Sequence, residues 1–487
     1  MRYLILFISF LFPIILLATG NTFSEEWPKK DSIIIHADIT GNVSSFIIDD
    51  ILLSGNKITR DKIIFRELTF GIGDTLQAWQ FASDLENSRD NLLNTSLFNF
   101  VTMEDSIVST GEFTHLVIRI KFIERWYVWP FPIFEISDRN INTWWEDKDF
   151  NRISYGLNLV KENCRGRMES LQLLLRFGYD ERYVLSYNVP YINKKQTFGA
   201  GIGVGWSQNH EIAYETSDNS PQNIRDDEKY LFKHYFTYLN IVHRPNFYHR
   251  HLVELMHNYY SFDDTVLQLN PNYSFGNSST NEYLAISYVF QNDHRDSKIY
   301  PLKGNYLHFL ITKSGFGFLN SCQVDMLELT SSYRKYWQVL DRVNVAADIT
   351  AKYSANPDQP YFYQKGLGYN RNFVRGYELY VIDGQSYWLS KNTLKYTLVP
   401  TTVRKIGFIG SEKFNKIHFA MYVNWFVDAG YVYNYQNYDG NNLTNKLLLG
   451  TGLGVDLVTY YDLVFRVEFS VNNRGESGFF VHFKDTL

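Results

Sequence analysis

Residues of four kinds could carry chemistry in this 487-residue chain, and each asks for a different scaffold. The run 197–207, TFGAGIGVGWS, sets Gly199, Gly201, Gly203 and Gly205 at every second position, and glycines in series are what a phosphate-cradling loop uses. His308 and His418 could act as bases, which would require a serine and an orienting Asp or Asn on the same face. Cys164 and Cys322 can form at most one disulfide and are too few for a zinc site. Arg375 stands between aromatic neighbours, Phe373 and Tyr377. A guanidinium drawn into an interior needs a carboxylate, because an unpaired buried charge is costly, and Asp428 is the candidate.

The elements around these residues decide between the readings. A phosphate loop joins a strand to a helix. Here the period-two register continues to Trp206, and a further strand-like run, LFKHYFTYLNIVH (231–243), follows. The large residues Phe198, Ile202, Val204 and Trp206 face one way and the glycines the other, which leaves room for a packed segment or a bend. The same alternation recurs to the end of the chain. Leu171, Leu173, Leu175 and Phe177 share a face, as do Val343, Val345, Ala347, Ile349 and Ala351. Ile417, Phe419, Met421, Val423, Trp425 and Val427 oppose His418, Tyr422, Asn424 and Asp428; Leu463, Phe465, Val467, Phe469 and Val471 oppose Arg466, Glu468, Ser470 and Asn472. His308 and His418 thus lie on polar faces without a convincing serine partner. No catalytic residue, cofactor or metal is expected.

Composition says where such strands belong. Tyr 36, Phe 37 and Trp 10 make 17% of the chain, yet the mean hydropathy is −0.27. Lipid-facing residues alternating with polar lumen-facing ones, with aromatic girdles, give this profile in a transmembrane β-barrel. The segments run to ten residues or more, the length a tilted membrane strand needs, whereas strands of a soluble sandwich average five to six. The near balance of 47 basic and 52 acidic side chains gives no field for nucleic acid. Arg2, the apolar stretch 4–18 and the small residues 18–20 read as a signal peptide over 1–20. A lead-in follows over 21–45.

Residues 46–125 read β-α-α-β-β, with helices over 59–68 and 78–94, as one small α+β domain. After a connector, 126–150, the barrel occupies 151–487. Fifteen strands begin with 151–160 and end with 477–484, and a weak one near 264–275 completes an all-β barrel of sixteen antiparallel strands. An even count puts both barrel ends beside the small domain. It also puts the long polar stretch 208–229 on that side, where turns are usually short. Asn151 and Tyr155 on the first strand and Phe479 and Phe483 on the last then form the closing seam.

The longest connection, 356–385, is rich in Tyr, Phe and Gly and holds VRGY: Val374, Arg375, Gly376 and Tyr377. This stretch resembles the signature of the BamA-like outer-membrane assembly barrels, the bacterial surface antigen family. FVDAG (426–430), DHRDSKIYPLKGNYL (293–307) and LSYNVPYI (185–192) are similar to further motifs of that family. ILLSGNKIT (51–59), GDTL (73–76), LFNFV (97–101) and VIRIKFIER (117–125) resemble those of its polypeptide-transport-associated (POTRA) domain, present here once. The resemblance implies an assembly or insertion factor in the outer membrane of a Gram-negative bacterium, its POTRA-like domain in the periplasm. The 374–377 loop would brace the lumen against Asp428. The implied partners are unfolded outer-membrane protein clients, outer-membrane lipid and periplasmic accessory proteins. A two-partner-type secretion pore exporting a passenger protein shares the fold and is the alternative. The family meets this arginine with a glutamate on the strand after the loop, near where Lys395 stands here; Glu378 and Asp383 are then further candidates.

Overall fold

The computed structural model describes residues 33–37, 45–110, 113–136, 153–317, 319, 324–369, 371–405, 411, 414–436, 440–459 and 463–484. The expected signal segment 1–20, most of the lead-in, Asn151 and Cys322 lie outside them.

In the N-terminal domain, β1 (Ile33–Ile34), β2 (Ser45–Ser54), β3 (Thr75–Gln77), β4 (Phe98–Thr110) and β5 (Thr114–Glu124) form one sheet in the order β1-β4-β5-β2-β3. Helices α1 (Asp61–Phe65) and α2 (Ala78–Leu93) cover one face. Helical spacing puts Phe81, Leu85, Ser88 and Leu92 of α2 on one stripe, all buried. They meet Phe46, Ile48, Met103, Leu116, Ile118 and Ile120, which alternate along the strands. The short strands β1 and β3 are additions to the expected β-α-α-β-β order, one before it and one between its helices, and they form the two edges of the sheet.

The second sheet holds sixteen antiparallel strands among the described residues. They are β6 (Val128–Ile136), β7 (Ile153–Cys164), β8 (Glu169–Gly178), β9 (Asp180–Val189), β10 (Phe198–Asn209), β13 (Phe232–His243), β14 (His249–Phe262), β15 (Thr280–Asp293), β16 (Gly304–Ser314), β17 (Met326–Leu340), β18 (Val343–Ser354), β21 (Ser386–Lys405), β22 (Lys416–Tyr433), β23 (Leu447–Val458), β24 (Val464–Asn472) and β25 (Ser477–Lys484). The hairpin β11 (Glu211–Ser217) and β12 (Ser220–Arg225), the pair β19 (Lys365–Leu367) and β20 (Ile382–Asp383), and helix α3 (Asp264–Leu269) belong to its connections.

Two expectations about this sheet need correcting. The first strand is β6, inside the segment read as a connector, so Tyr155 lies on the second strand and not at the edge. Residues 264–275 hold no strand: Asp263 caps α3 there by accepting the Thr265 N–H. One strand gained and one lost leave the total at sixteen, but the sides change. Residues 208–229 follow the fifth strand and lie at the end away from the N-terminal domain, where they form the β11–β12 hairpin.

Large apolar side chains line the outer face, among them Leu185, Ile202, Leu239, Val253, Ile349, Trp425 and Leu453, all exposed. No helix among the described residues is long and apolar enough to cross a membrane. The glycine track of β10 faces inward. A Cβ at Gly203 would lie 2.3 Å from the Tyr238 ring, and one at Gly205 would lie 2.2 Å from that of Phe236. These glycines stand opposite the two aromatics in the β10–β13 register, so they are sockets for the neighbour's rings. Within the described residues no ladder joins β6 to β25.

The N-terminal domain is fastened to the turns at its end of the barrel. Glu67, fully buried, accepts from both terminal nitrogens of Arg244 (2.7 and 2.8 Å) and from the Tyr191 hydroxyl (3.2 Å). Burial opposes the charge on Arg244, but the Glu67 carboxylate outweighs it and holds the guanidinium above its ordinary value. Arg66 donates to the Gln196 carbonyl (3.0 Å), and the Arg60 N–H donates to that of Gly166 (3.0 Å). Asn94, at the end of α2, donates to the Asp296 carbonyl (3.3 Å) and accepts from the Lys298 N–H (3.1 Å).

Candidate functional site

The connection between β18 and β21 folds back into the barrel because its own apolar residues find partners there. Leu367, Val374, Tyr377 and Ile382 are buried against Tyr387, Leu389, Val432 and Leu448 on the inner faces of β21–β23. Missing side chains in the wall let the loop backbone approach. A Cβ at Gly430 would lie 2.6 Å from Val374, and one at Gly450 would lie 1.8 Å from the Arg375 carbonyl oxygen. Gly376 has a φ of +97°, a left-handed conformation that redirects the chain after the arginine.

Arg375 is thereby held over the inner faces of four strands. It makes a bidentate pair with Asp428 of β22: Nε donates to Oδ2 and Nη2 to Oδ1, each at 2.7 Å. The Arg375 N–H also reaches Asp428 (3.3 Å). Nη1 donates to Glu468 of β24 (3.1 Å) and Nη2 to Thr393 of β21 (3.0 Å). The guanidinium lies 3.8 Å above the Phe426 ring. Both carboxylates are almost wholly buried, Asp428 0% and Glu468 1% exposed. The fork geometry of arginine is what lets one cation bind two acceptors and stack on an aromatic face at once. The motif residues have distinct tasks. Val374 fills the space left by Gly430, Arg375 meets Asp428 two positions earlier on that strand, and the Tyr377 hydroxyl donates to Asn473.

The other candidates lie elsewhere. Glu378 turns back to accept the Gly376 N–H (2.7 Å), and Asp383 accepts from Tyr369 and Asn441. Lys395 sits 4.0 Å over the Tyr300 ring. The sequence reading did not single out Glu468; its only trace there is a place on the polar face of 463–472. Phe479 is 78% exposed on the outer face of β25, and Phe483 pairs with Phe465 in the β24–β25 register. Ser332 stands opposite His308, but its hydroxyl accepts from Thr350 (2.9 Å).

A second inward element comes from the domain end. In the turn 294–303, Asp296 accepts the N–H groups of Ser297 (2.8 Å) and Leu302 (3.1 Å), and this drives Tyr300 into the barrel. Its hydroxyl donates to Asp456 of β23 (2.7 Å), and its ring stacks on Tyr422. Asp456 also accepts a bidentate pair from Arg466 (2.6 and 2.8 Å) and a bond from Asn424 (3.0 Å). Arg466 lies 3.8 Å from Glu468, so the two clusters touch. The charges of the two clusters face one another, while the buried Glu468 Oε2 and Asn424 Oδ1 accept no hydrogen bond. What the arrangement can do is hold two inserted segments against one wall.

The fold has known counterparts. CdiB from Escherichia coli is similar with a TM-score of 0.54 at 14% identity, over 90% of this chain and 75% of that one. BamA from Haemophilus ducreyi lacking POTRA domains 1–3 is similar at 13% identity and a TM-score of 0.49, over 90% of this chain and 83% of that one. Comparison with curated proteins returned no match. The family model of the Omp85 superfamily domain matches residues 163–471. That span takes in the inserted loop, the Arg375 cluster and every strand that holds it, and with it the chain belongs to the Omp85 superfamily.

Proposed function

We propose that the protein is an outer-membrane assembly factor of a Gram-negative bacterium. In this reading the N-terminal domain is a POTRA domain in the periplasm, and the barrel inserts client strands at its β6/β25 seam. The observation that carries it is the pairing of two features: a lumen face braced from both ends, by Arg375 and by Tyr300, and a sheet whose first and last strands share no ladder. A braced wall keeps its shape while the seam changes partners. Unpaired backbone groups at such an edge are a template for another strand. The clients are unfolded outer-membrane proteins, and outer-membrane lipid is the medium; periplasmic accessory proteins would deliver the clients.

One observation favours the secretion-pore reading instead. Both edges of the N-terminal sheet are partly covered by the chain itself. On the β4 edge, β1 is followed by His36 and Ala37, whose N–H groups are held by Asp105 (2.6 and 2.7 Å). On the β2 edge, β3 and the Gly73–Ile48 and Ile48–Asp74 bonds do the same. Capture of an extended client at either edge therefore requires displacement. The purified protein in liposomes, given a urea-unfolded outer-membrane barrel, separates the readings. Folding at least several-fold faster than in empty liposomes is the expected result, read by the heat-modifiable gel shift. No acceleration, with a voltage-dependent conductance in planar bilayers, would replace assembly by export.

A further inference from the structure

At the end of the barrel away from the N-terminal domain, four connections meet around a recess of about 450 Å³, within the size range of small-molecule sites. Asp218 and Asn219 both take left-handed backbone, with φ of +48° and +58°, and form the two-residue turn that joins β11 to β12. Asn219 is 1% exposed because this turn docks on two other connections. Its N–H donates to the Gly440 carbonyl (3.0 Å), and its carbonyl accepts from the Val381 N–H of the inserted loop (2.9 Å). Its side chain accepts from the Leu443 N–H (3.2 Å) and donates to Asn441. The β24–β25 turn joins them, since Asn473 accepts from the Tyr377 hydroxyl and Glu476 from that of Tyr380 (2.9 Å). The recess between these segments is lined by Tyr377, Tyr380, Asn442, Asn473, Lys446 and Arg474. Lys446 is exposed and has no carboxylate within ion-pair reach among the described residues. Arg474 lies 3.3 Å from Glu476 and 5.4 Å over the Tyr380 ring, and its terminal nitrogens make no hydrogen bond among the described residues. An acyl chain entering here would take amides and cations out of water without replacing their bonds. A polyol replaces them, because each hydroxyl both donates and accepts. An anionic group on that polyol gains charge-assisted bonds from the two cations.

We propose that this recess binds an acidic sugar, a mono- or disaccharide bearing a phosphate or carboxylate, through Lys446 and Arg474. The site stands whether the barrel assembles clients or exports a passenger. Its ligand is either the headgroup of a glycolipid or a free sugar of the same chemistry. The test uses the full chain in detergent micelles and isotope-labelled glucose 1-phosphate in equilibrium dialysis, where saturable binding is expected. Lys446→Ala with Arg474→Ala removes two exposed side chains, leaves the heat-modifiable band in place, and should weaken binding about tenfold or more, the worth of a charge-assisted bond. Asn219→Gly keeps the left-handed turn but loses the side-chain bonds to Asn441 and Leu443, and should weaken binding severalfold. Glucose alone and inorganic phosphate alone should each bind about tenfold more weakly than the sugar phosphate. Displacement of the label by a diglucosamine bisphosphate lipid in the micelles assigns the site to a headgroup; failure to displace it assigns the site to the free sugar. No saturable binding of glucose 1-phosphate, binding that the double variant leaves unchanged, or inorganic phosphate binding as tightly as the sugar phosphate would overturn the proposal.

Discussion

Replacing Arg375 by alanine tests the brace most directly. Asp428 would lose its bidentate partner, and Glu468 would keep Arg466 at 3.8 Å and the His482 ring at 3.5 Å. Removing one member of a buried pair costs about 3–5 kcal/mol, mostly from the charge left behind. At about 1.4 kcal/mol per tenfold, that shifts the equilibrium between docked and released loop by roughly two to three and a half orders of magnitude. A nitroxide on Leu379→Cys in the Cys164→Ser, Cys322→Ser background reports the loop, since Leu379 is 80% exposed and the label displaces nothing. One immobilised spectral component is expected before the change and a dominant mobile one after it. Asp428→Asn alone should give a mixture. With Arg375→Ala present, Asp428→Asn should cost little more, because the stranded charge is gone. The reasoning fails if Arg375→Ala leaves the spectrum unchanged in a heat-modifiable barrel, or if the two substitutions add within about 0.5 kcal/mol, as independent sites do.

Other perturbations have equally definite outcomes. Gly205→Val puts a side chain where the Phe236 ring lies; it should cost about 1–3 kcal/mol and lower the temperature of the gel-mobility shift, and Phe236→Ala should restore it. Glu67→Gln weakens charge-assisted bonds to Arg244 worth about 1.5–3 kcal/mol and should speed protease cleavage between the N-terminal domain and the barrel. Tyr300→Phe keeps the stacked ring but loses the bond to Asp456; it should loosen the turn 294–303 in hydrogen exchange less than Asp456→Ala does. Burial pushes the Glu378 carboxyl up to about 7, Glu468 adding to this and Lys391 opposing it. A carboxyl raised in the folded state favours docking below its ordinary value of 4.5 and loses that contribution as pH rises through 7. The nitroxide at 379 should therefore grow more mobile between pH 5 and about 7.5, and Glu378→Gln should flatten the profile.

The strands that hold the site were legible because one physical rule wrote them: a wall with lipid on one side alternates. That rule puts Asp428, Asp456, Arg466 and Glu468 on inner faces without any structure. It does not say which meet, because contacts such as Arg375 to Glu468 depend on how far the loop descends. β6 escaped notice because two prolines in nine residues read as a connector. They are tolerated only at an edge, with their nitrogens turned away from the one neighbour. Residues 264–275 misled in the opposite sense: apolar residues in a short run suit strand or helix equally, and the signal that decides is the cap at Asp263.

The motif DHRDSKIYPLKG takes its shape from having to face two ways. Asp293 and Arg295 form a bidentate pair (2.8 and 2.7 Å) at its start, and Gly304, with a φ of +99°, closes it where a Cβ would strike the His294 carbonyl. Within that rigid turn, Asp296 and Lys298 bond to Asn94 of the N-terminal domain, while Tyr300 bonds to Asp456 in the barrel. From Asp456 the charges run through Arg466 and Glu468 to Arg375, and Phe373 beside Arg375 stacks on His482 of β25. One end of this run is the small domain and the other is the last strand of the sheet. Asp456 stands on β23, Arg466 and Glu468 on β24 and His482 on β25, with Arg375 and Phe373 on the inserted loop, so the run crosses the ladders of β23–β25. Moving Asn94 relative to Asp296 changes where the Tyr300 hydroxyl can reach. Without the Tyr300 bond Asp456 keeps Arg466 and Asn424, and Glu468 keeps Arg375 at 3.1 Å and His482 at 3.5 Å. The small domain and the last strand of the sheet are thus joined through side-chain contacts that cross the ladders.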